Sequence, residues 1–396
     1  MNAASSTSVP PDRPADFDPI EWNLLRASSI AEAGEIDIAR VRTFLQRPVD
    51  WDLLLRLSAD HGTSSLVYQN LVRTGGAPAP VLESLRQRHE TNIRKSLLLA
   101  GELTRVLECI ESLGVDAIPY KGVVLSEVYY GDMAMRQSGD LDIFVRARDV
   151  ARIKQAVCDL GYTPRASVPQ GAENDYITSG YECTFDSPAG KNLLELQWAL
   201  QPRYYAVDFD MEGLFARTVN VTVAGRSVKT PAPEDLLLVL SVHAAKHAWK
   251  KLIWLCDIAQ ILRREKLDWA TVVRRARKFG IERILHVTLL LTNELCLSSI
   301  PAPIEHAAVA DQAAASLAHE IVERMFRGIF YGEQQVSYFR LMIRLRERQA
   351  DRLRFLARLT FTPGPGEWEA IRLPKILFPL YRVVRLGRLA SRLVRG

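Results

Sequence analysis

No stretch of this 396-residue chain approaches the roughly 20 unbroken apolar residues that a bilayer-spanning helix requires, which argues against an integral membrane protein. An export signal is missing too: MNAASSTSVPPDRPADFDP has no apolar core, and residues 1–20 read as a flexible leader. Cysteine is scarce. The five present, Cys109, Cys158, Cys183, Cys256 and Cys296, lie far apart with no C-x-x-C spacing, which excludes a disulfide framework and a thiolate zinc site. Each reads as a small buried apolar residue in a reducing compartment, the cytoplasm. A large charge of either sign is also lacking: 51 basic against 46 acidic residues leave +5, too little to imply nucleic-acid binding. That excess is local. The stretch from Leu373 to Gly396 has no acidic residue but holds Lys375, Arg382, Arg385, Arg388, Arg392 and Arg395. There is no internal repeat, and no low-complexity tract beyond the leader.

What is present is a globular composition, 48% hydrophobic and 24% charged, at a length that fits two or three domains. Residues 21–113 carry helical periodicity, strongest in RKSLLLAGELTRVLECIESLGV, with Gly114 as the stop. Residues 114–230 change period. Val115 to Tyr120 reads as an edge strand limited by Pro119, Val123 to Tyr130 as a helix, LDIFV as a strand, and ARDVARIKQAVCDLGY as a helix ending at Gly161. YECTF and NLLELQWAL read as further strands, and Val219 to Val228 as a hairpin turning at Ala224-Gly225. Residues 231–360 are helical again, opening at Pro233 with Glu234 and Asp235 in the first turn. TPGPG, from Thr362 to Gly366, breaks that pattern, so residues 361–396 form a linker and a basic amphipathic tail. The predicted class is α+β: a small mixed sheet flanked by N-terminal and C-terminal helical regions.

Chemistry concentrates in IPYKGVVLSEVYYGDMAMRQSGDLDIFV. Residues two apart on a strand share a face, so Asp140 and Asp142 stand together while Leu141, Ile143 and Val145 turn to the core. Two ionised neighbours raise each other's pKa and call for a counter-charge. Mg²⁺ (or Mn²⁺) supplies it, binding carboxylate and phosphate oxygens together. In LLELQWAL, Glu195 and Gln197 repeat the alternation; next to LDIFV, Glu195 would complete a three-carboxylate metal set.

Ile118 to Val145, then LELQW, then HAAKHAWKKLIWLCDIAQIL, together resemble a bacterial family of the polymerase-beta nucleotidyltransferase superfamily labelled uncharacterised nucleotidyltransferases. The resemblance covers about Arg94 to Leu262, and its most specific pieces are Lys121-Gly122, Tyr130, Arg136 and Asp140-Leu141-Asp142. It implies a metal-dependent enzyme that moves NMP from an NTP to a hydroxyl acceptor, with Asp140, Asp142 and Glu195 as catalytic and metal-binding residues. Two departures stand in the sequence. The wider superfamily opens the phosphate-facing helix with Gly-Ser, where this chain has Gly122-Val123, and Gln197 stands where the family often carries histidine.

The expected nucleotide-binding set is Lys121, Gly122, Arg136, Gln197, His243 and His247. Gly122 lets backbone approach a phosphate at a helix N-terminus, or is a turn glycine. Lys121 is suited to a β- or γ-phosphate, or is a surface lysine. Arg136 has the fork to clamp a phosphate, or pairs with Asp132 or Asp140. His243 and His247, at i and i+4 with Lys246 and Lys250 nearby, fit a polar helix face over the cleft better than a zinc site, or are ordinary partly buried histidines, and Asp257 is a candidate to orient one of them. Trp198, Trp249 and Trp254 read as core.

The tail ILFPLYRVVRLGRLASRLVRG fits an anionic membrane surface, an acidic partner, or a helix docked on its own protein by its apolar side. Two other functions stay open. One is a catalytically degenerate nucleotidyltransferase-fold binding or scaffold protein, which Val123 and Gln197 keep in play. The other is a D-x-D glycosyltransferase, against which the helical character ahead of the motif counts. The core shows no concentrated basic groove, so a small molecule, peptide or protein is favoured as acceptor over a long nucleic acid.

Overall fold

The helical periodicity ahead of the carboxylate motif resolves into five helices: α1 (Ile20–Ser28), α2 (Glu35–Leu45), α3 (Trp51–Asp60), α4 (Ser64–Thr74) and α5 (Ala79–Ser112). Asp50 caps α3 by accepting the Leu53 N–H at 2.9 Å. The 34 residues of α5 make a rod about 50 Å long, started by a proline in its first turn and stopped by Gly114 at φ +67°. This computed structural model describes residues 19–165, 176–178, 180–188, 193–332, 335–362, 371, 377 and 380–395. The first 18 residues of the expected leader, the expected linker beyond Thr362, and Lys375 lie outside the described residues.

The expected α+β core follows. Strands β1 (Ala117–Pro119), β2 (Asp140–Val145), β3 (Thr163–Pro164), β4 (Glu182–Asp186) and β5 (Leu193–Gln197) form one sheet in the order β1-β2-β5-β4-β3. β2 and β5 run parallel and the other pairs antiparallel, so the sheet is mixed. Pro119 sits in the edge strand, where a missing N–H costs nothing. The two-residue β3 carried no readable signal. Helices α6 (Val123–Tyr130) and α7 (Val150–Asp159) fall where the periodicity placed them. After α8 (Met211–Ala216), the hairpin β6 (Thr218–Val223) and β7 (Arg226–Pro231) makes a separate two-stranded sheet, turning at Ala224 and Gly225, both at positive φ.

One face of the large sheet is apolar. Leu141, Ile143, Val145, Phe185, Leu194 and Leu196 bury against Leu103, Val106 and Ile110 of α5 and Ile153 and Val157 of α7. Each such side chain contributes about 2 kcal/mol of transfer free energy, which pins the register and leaves the alternate residues on the other face. Val123, in the position of the superfamily's serine, belongs to this core.

The C-terminal half is helical: α9 (Pro233–Lys246), α10 (Leu252–Arg264), α11 (Trp269–Phe279), α12 (Glu282–Cys296), α13 (Ala302–Ala310), α14 (Gln312–Phe326), α15 (Val336–Arg344), α16 (Gln349–Phe361) and α17 (Tyr381–Arg395). A second core joins these helices to α1, α3 and α4, through residues such as Leu24, Leu54 and Leu71 against Leu238, Leu255 and Leu289. The turn after α3 is thereby clamped onto the start of α10: His61 Nδ1 accepts the Leu252 N–H at 3.2 Å, and its carbonyl accepts the Ile253 N–H at 3.2 Å. Among the described residues no helix is long and apolar enough to cross a membrane.

Candidate functional site

Pairing, not proximity in sequence, assembles the acidic face of the sheet. Asp142 on β2 is directly opposite Glu195 on β5, and Gln197 on β5 is directly opposite Glu182 on β4. Cross-strand partners share a face, so these side chains project together, away from the apolar core. The neighbouring row is aromatic: the Tyr120 ring stacks on Phe144 with centroids 4.0 Å apart and planes 11° apart. Tyr120 OH donates to Gln197 Oε1 at 2.8 Å, which fixes the amide so that its nitrogen faces the acids. Gln197 Nε2 donates to Glu195 Oε2 at 2.8 Å and to Asp142 Oδ1 at 3.1 Å. Lys121 Nζ meets Asp142 Oδ1 at 2.7 Å.

The electrostatics are those of crowded acid. Burial pushes the Asp142 pKa up to about 6, and Glu195 adds to the rise against the pull of Lys121. Burial also raises Asp140, reinforced by Asp142, and raises Glu195, reinforced by Glu182. Lys121 is only 8% exposed; burial opposes its charge, but Asp142, Asp140 and Glu195 outweigh burial and hold its pKa above the ordinary lysine value.

Gly122 makes the close approach of the two segments workable. It adopts φ +60°, ψ −127°, a conformation open to glycine, and a Cβ there would stand 3.1 Å from the Asp140 carbonyl oxygen. It also begins α6, so Lys121 and the first turn of that helix face the carboxylates from one side.

Helix α9 roofs the acidic face. His243 Nδ1 lies 3.4 Å from Lys121 Nζ, and burial together with the Lys121 charge holds this imidazole neutral, well below the usual histidine range. The His243 and His247 rings are 5.0 Å apart, and each lies 5.2 Å from Trp254. The chain leaves α9 through Ala248 and Trp249, both at φ +50°, before re-entering a helix at Leu252. Such strain costs about 1–2 kcal/mol per residue. Trp249 holds the turn by donating from its buried indole to Thr288 Oγ1 at 3.0 Å.

A cleft of about 480 Å³ results. Four carboxylates, Asp140, Asp142, Glu182 and Glu195, line it with five cations, Lys95, Lys121, Arg136, Lys246 and Lys251. Every expected site residue except Gly122 lines it directly, and Gly122 is next to Lys121 and against Asp140. Among the described residues, no group of three or more His, Cys, Asp or Glu side chains is arranged to close on a metal ion. Lys121 and Gln197 occupy the spaces between the acids.

Three placements differ from expectation. Arg136 pairs with neither Asp132 nor Asp140: its Nε and Nη2 donate to Asp257 at 2.8 and 2.9 Å, and its Nη1 reaches Ser138 Oγ at 3.1 Å. Asp257 therefore orients Arg136 and accepts from Tyr130 OH at 2.8 Å rather than serving a histidine. Trp198 and Trp249 are core, but Trp254 is half-buried and lines the cleft.

Sequence reading missed Glu182, Tyr181, Lys95 and Lys251. Glu182 was legible, because ECTFD alternates polar and apolar residues as LELQ does. Its carboxylate accepts from Tyr181 OH, to which Lys246 donates at 2.8 Å. Lys95, on α5, gave no signal; with Lys251 it reaches the cleft without an ion pair to any described residue.

The profile of a family described as uncharacterised nucleotidyltransferase matches residues 47–296. No curated protein matches the chain. Among solved structures, that of the antibiotic-resistance factor ANT(2'')-Ia is similar with a TM-score of 0.29 and 13% identity, over 57% of this chain and 98% of that one. An antigenic nucleotidyltransferase-like protein from Paracoccidioides brasiliensis has a TM-score of 0.29 and 14% identity, over 55% and 97%. Likeness of that degree assigns neither nucleotide nor acceptor.

Proposed function

This chain belongs to the uncharacterised nucleotidyltransferase family, and from that premise we propose that its cleft transfers NMP from a nucleoside triphosphate to a hydroxyl acceptor with Mg²⁺ or Mn²⁺. One observation carries the reading: Asp142 and Glu195 oppose each other on adjacent strands, Asp140 precedes by two, and all three have raised pKa values. The donors fit a hard cation in kind, being all oxygen, buried and crowded with negative charge. Asp140, Asp142 and Glu195 would hold it, and a cation so held stabilises charge on the transferred phosphoryl group.

The remaining roles belong to side chains. Lys121 faces the site beside Gly122 and neutralises a β- or γ-phosphate, and Lys95 and Lys251 add positive charge at the cleft. Arg136, committed to Asp257, is a positioning residue that holds the approach to β2 through Ser138. Gln197 orients Asp142 and Glu195, and His243, His247 and Trp254 form the helical wall. In the reaction the acceptor oxygen bonds to the α-phosphorus, the bond from that phosphorus to the bridging oxygen breaks, and pyrophosphate leaves. The acceptor proton passes to a carboxylate oxygen, and Glu195 is suited by its raised pKa. A cleft of about 480 Å³ suits a small molecule, or a side chain of a peptide or protein, better than a long nucleic acid. NTP as co-substrate puts the reaction in the cytoplasm.

Two observations favour a non-catalytic binding or scaffold role: Lys121 and Gln197 already contact Asp142 and Glu195, and Val123 offers no hydroxyl. Both readings meet the same experiment. Each α-³²P-labelled NTP is incubated with the protein and Mg²⁺ or Mn²⁺, beside an Asp140→Ala/Asp142→Ala variant, while label transfer, pyrophosphate release and NTP-dependent thermal shift are followed. Transfer that the double variant loses is the expected result. Metal and NTP stabilising the wild type no more than the variant, with no transfer, would sink catalysis in favour of the scaffold.

A further inference from the structure

Helix α17 is docked by a face that mixes apolar and basic residues. Among residues 381–388, whose side chains are described, Tyr381 and Arg385 are buried and Val384 and Arg388 half-buried. The Arg385 guanidinium lies 5.4 Å from the Tyr204 ring centre, and its Nε donates to the Leu359 carbonyl at 3.1 Å. On the opposite arc Val383 is 61% exposed, with Leu386 and Arg382 exposed beside it. The sequence left open a helix seated by its apolar side; over residues 381–388 the seat is mixed, and Val383 and Leu386 stay outward.

The neighbouring helix repeats the arrangement. In α16, Phe355 is fully buried while Leu353, Leu356 and Phe361 are exposed, at spacings of three and eight that define one stripe. Leu377 and Leu380, just ahead of α17, are exposed as well. A soluble helix turns its apolar arc to the core, and two packed helices turning theirs outward need a covering. The charge of the region says which. From Leu373 to Gly396 there are six basic residues and no acidic one. Nucleic acid or an acidic protein would be met by outward arginines alone; here Arg385 is turned inward, and Val383 and Leu386 are presented beside Arg382. An outward apolar stripe beside a segment that carries six basic residues and no acidic one is what an anionic bilayer surface binds.

We propose that α16 and α17 form a peripheral docking surface for anionic membranes. Val383, Leu386 and the Leu353–Phe361 stripe enter the headgroup boundary, and Arg382 meets lipid phosphate. The surface does not depend on the catalytic reading.

The test uses the full chain in co-sedimentation with vesicles of phosphatidylcholine alone and of phosphatidylcholine mixed with phosphatidylglycerol. Binding to the mixed vesicles only, weakened by salt, is expected. Val383→Asp/Leu386→Asp should reduce it by roughly tenfold or more at an unchanged melting temperature, while Val383→Leu/Leu386→Ile retains it. Should the aspartate pair unfold the protein, Arg382→Glu takes its place and must weaken binding to the mixed vesicles. The proposal fails if wild type ignores the mixed vesicles, binds neutral ones equally, or is unaffected by these changes. A dimer by light scattering that the aspartate pair splits, without vesicle binding, would instead give the stripe to a second copy of the chain. RNA binding without vesicle binding would overturn it as well.

Discussion

Two buried acid–base pairs flank the same cleft and are built differently. Asp257 completes itself, accepting from Arg136 at 2.8 and 2.9 Å and from Tyr130 OH at 2.8 Å. Asp142 takes Lys121 at 2.7 Å and Gln197 at 3.1 Å, yet shares its surroundings with Asp140, Glu182 and Glu195, and burial lifts its pKa to about 6. A closed pair secures the fold, and its value is the penalty of breaking it. A crowded set keeps an electrostatic deficit that a bound cation relieves. The contrast separates residues that hold the cleft from residues expected to work in it.

Two substitutions should pull those roles apart. The largest effect belongs to Asp140→Ala/Asp142→Ala: transfer falls by about a thousandfold or more. Its melting temperature falls by less than that of Asp257→Asn, because lost like-charge repulsion offsets the Lys121 charge left behind. Asp257→Asn should strand the Arg136 charge and cost about 3–5 kcal/mol in urea unfolding. The distinction between the pairs collapses if Asp257→Asn is silent on stability, or if the double variant unfolds.

How much of this was readable follows from what each element depends on. Asp140, Asp142 and Glu195 obey strand alternation, and LDIFV and LELQ are apolar enough on one face that the register could hardly place them elsewhere. Gly122 and Pro119 declared themselves through backbone chemistry. The partner of Arg136 did not, because Asp257 lies 121 residues on, and only the packing of α10 beside α6 brings it near. Lys95 and His61 were hidden for the same reason. Each sits in an ordinary-looking helix or turn, and gains meaning only when the N-terminal helices share a core with α9 and α10. The orientation of α17 was ambiguous from sequence because periodicity gives an arc and not the direction in which it faces.

Acidity offers a finer test of the crowded set. The folded-state pKa of Asp142, about 6, lies above its ordinary 3.8, so this group makes stability fall as pH rises from about 4 to about 6. Burial holds His61 down to about 4, below its ordinary 6.5, so its share of stability is lost as pH drops through the same window. The two contributions are each about 3 kcal/mol and oppose one another. Measured against wild type, Asp142→Asn should therefore gain melting temperature as pH rises from 4 to 6, because it lacks the contribution that wild type loses over that window. Stabilisation of wild type by Mn²⁺ should grow through pH 6, since the proton must leave first. A Mn²⁺ shift equal at pH 5 and pH 7 would count against Asp142 as a ligand.

The smallest loss of activity should come from Gly122→Ala, and it bears most directly on how the set is held. At φ +60° an alanine is strained by about 1–2 kcal/mol. Its Cβ would meet the Asp140 carbonyl oxygen at 3.1 Å, and that oxygen is backbone, so relief requires β2 itself to shift by a few tenths of an ångström. Asp140 and Asp142 ride on that strand. Transfer chemistry is more sensitive to such a displacement than folding is, so activity should drop about tenfold while the melting temperature moves only a few degrees. A loss of stability with full activity would reduce Gly122 to a turn glycine. A loss of activity beyond the loss of stability would tie the approach of Lys121 and α6 to the placement of the carboxylates.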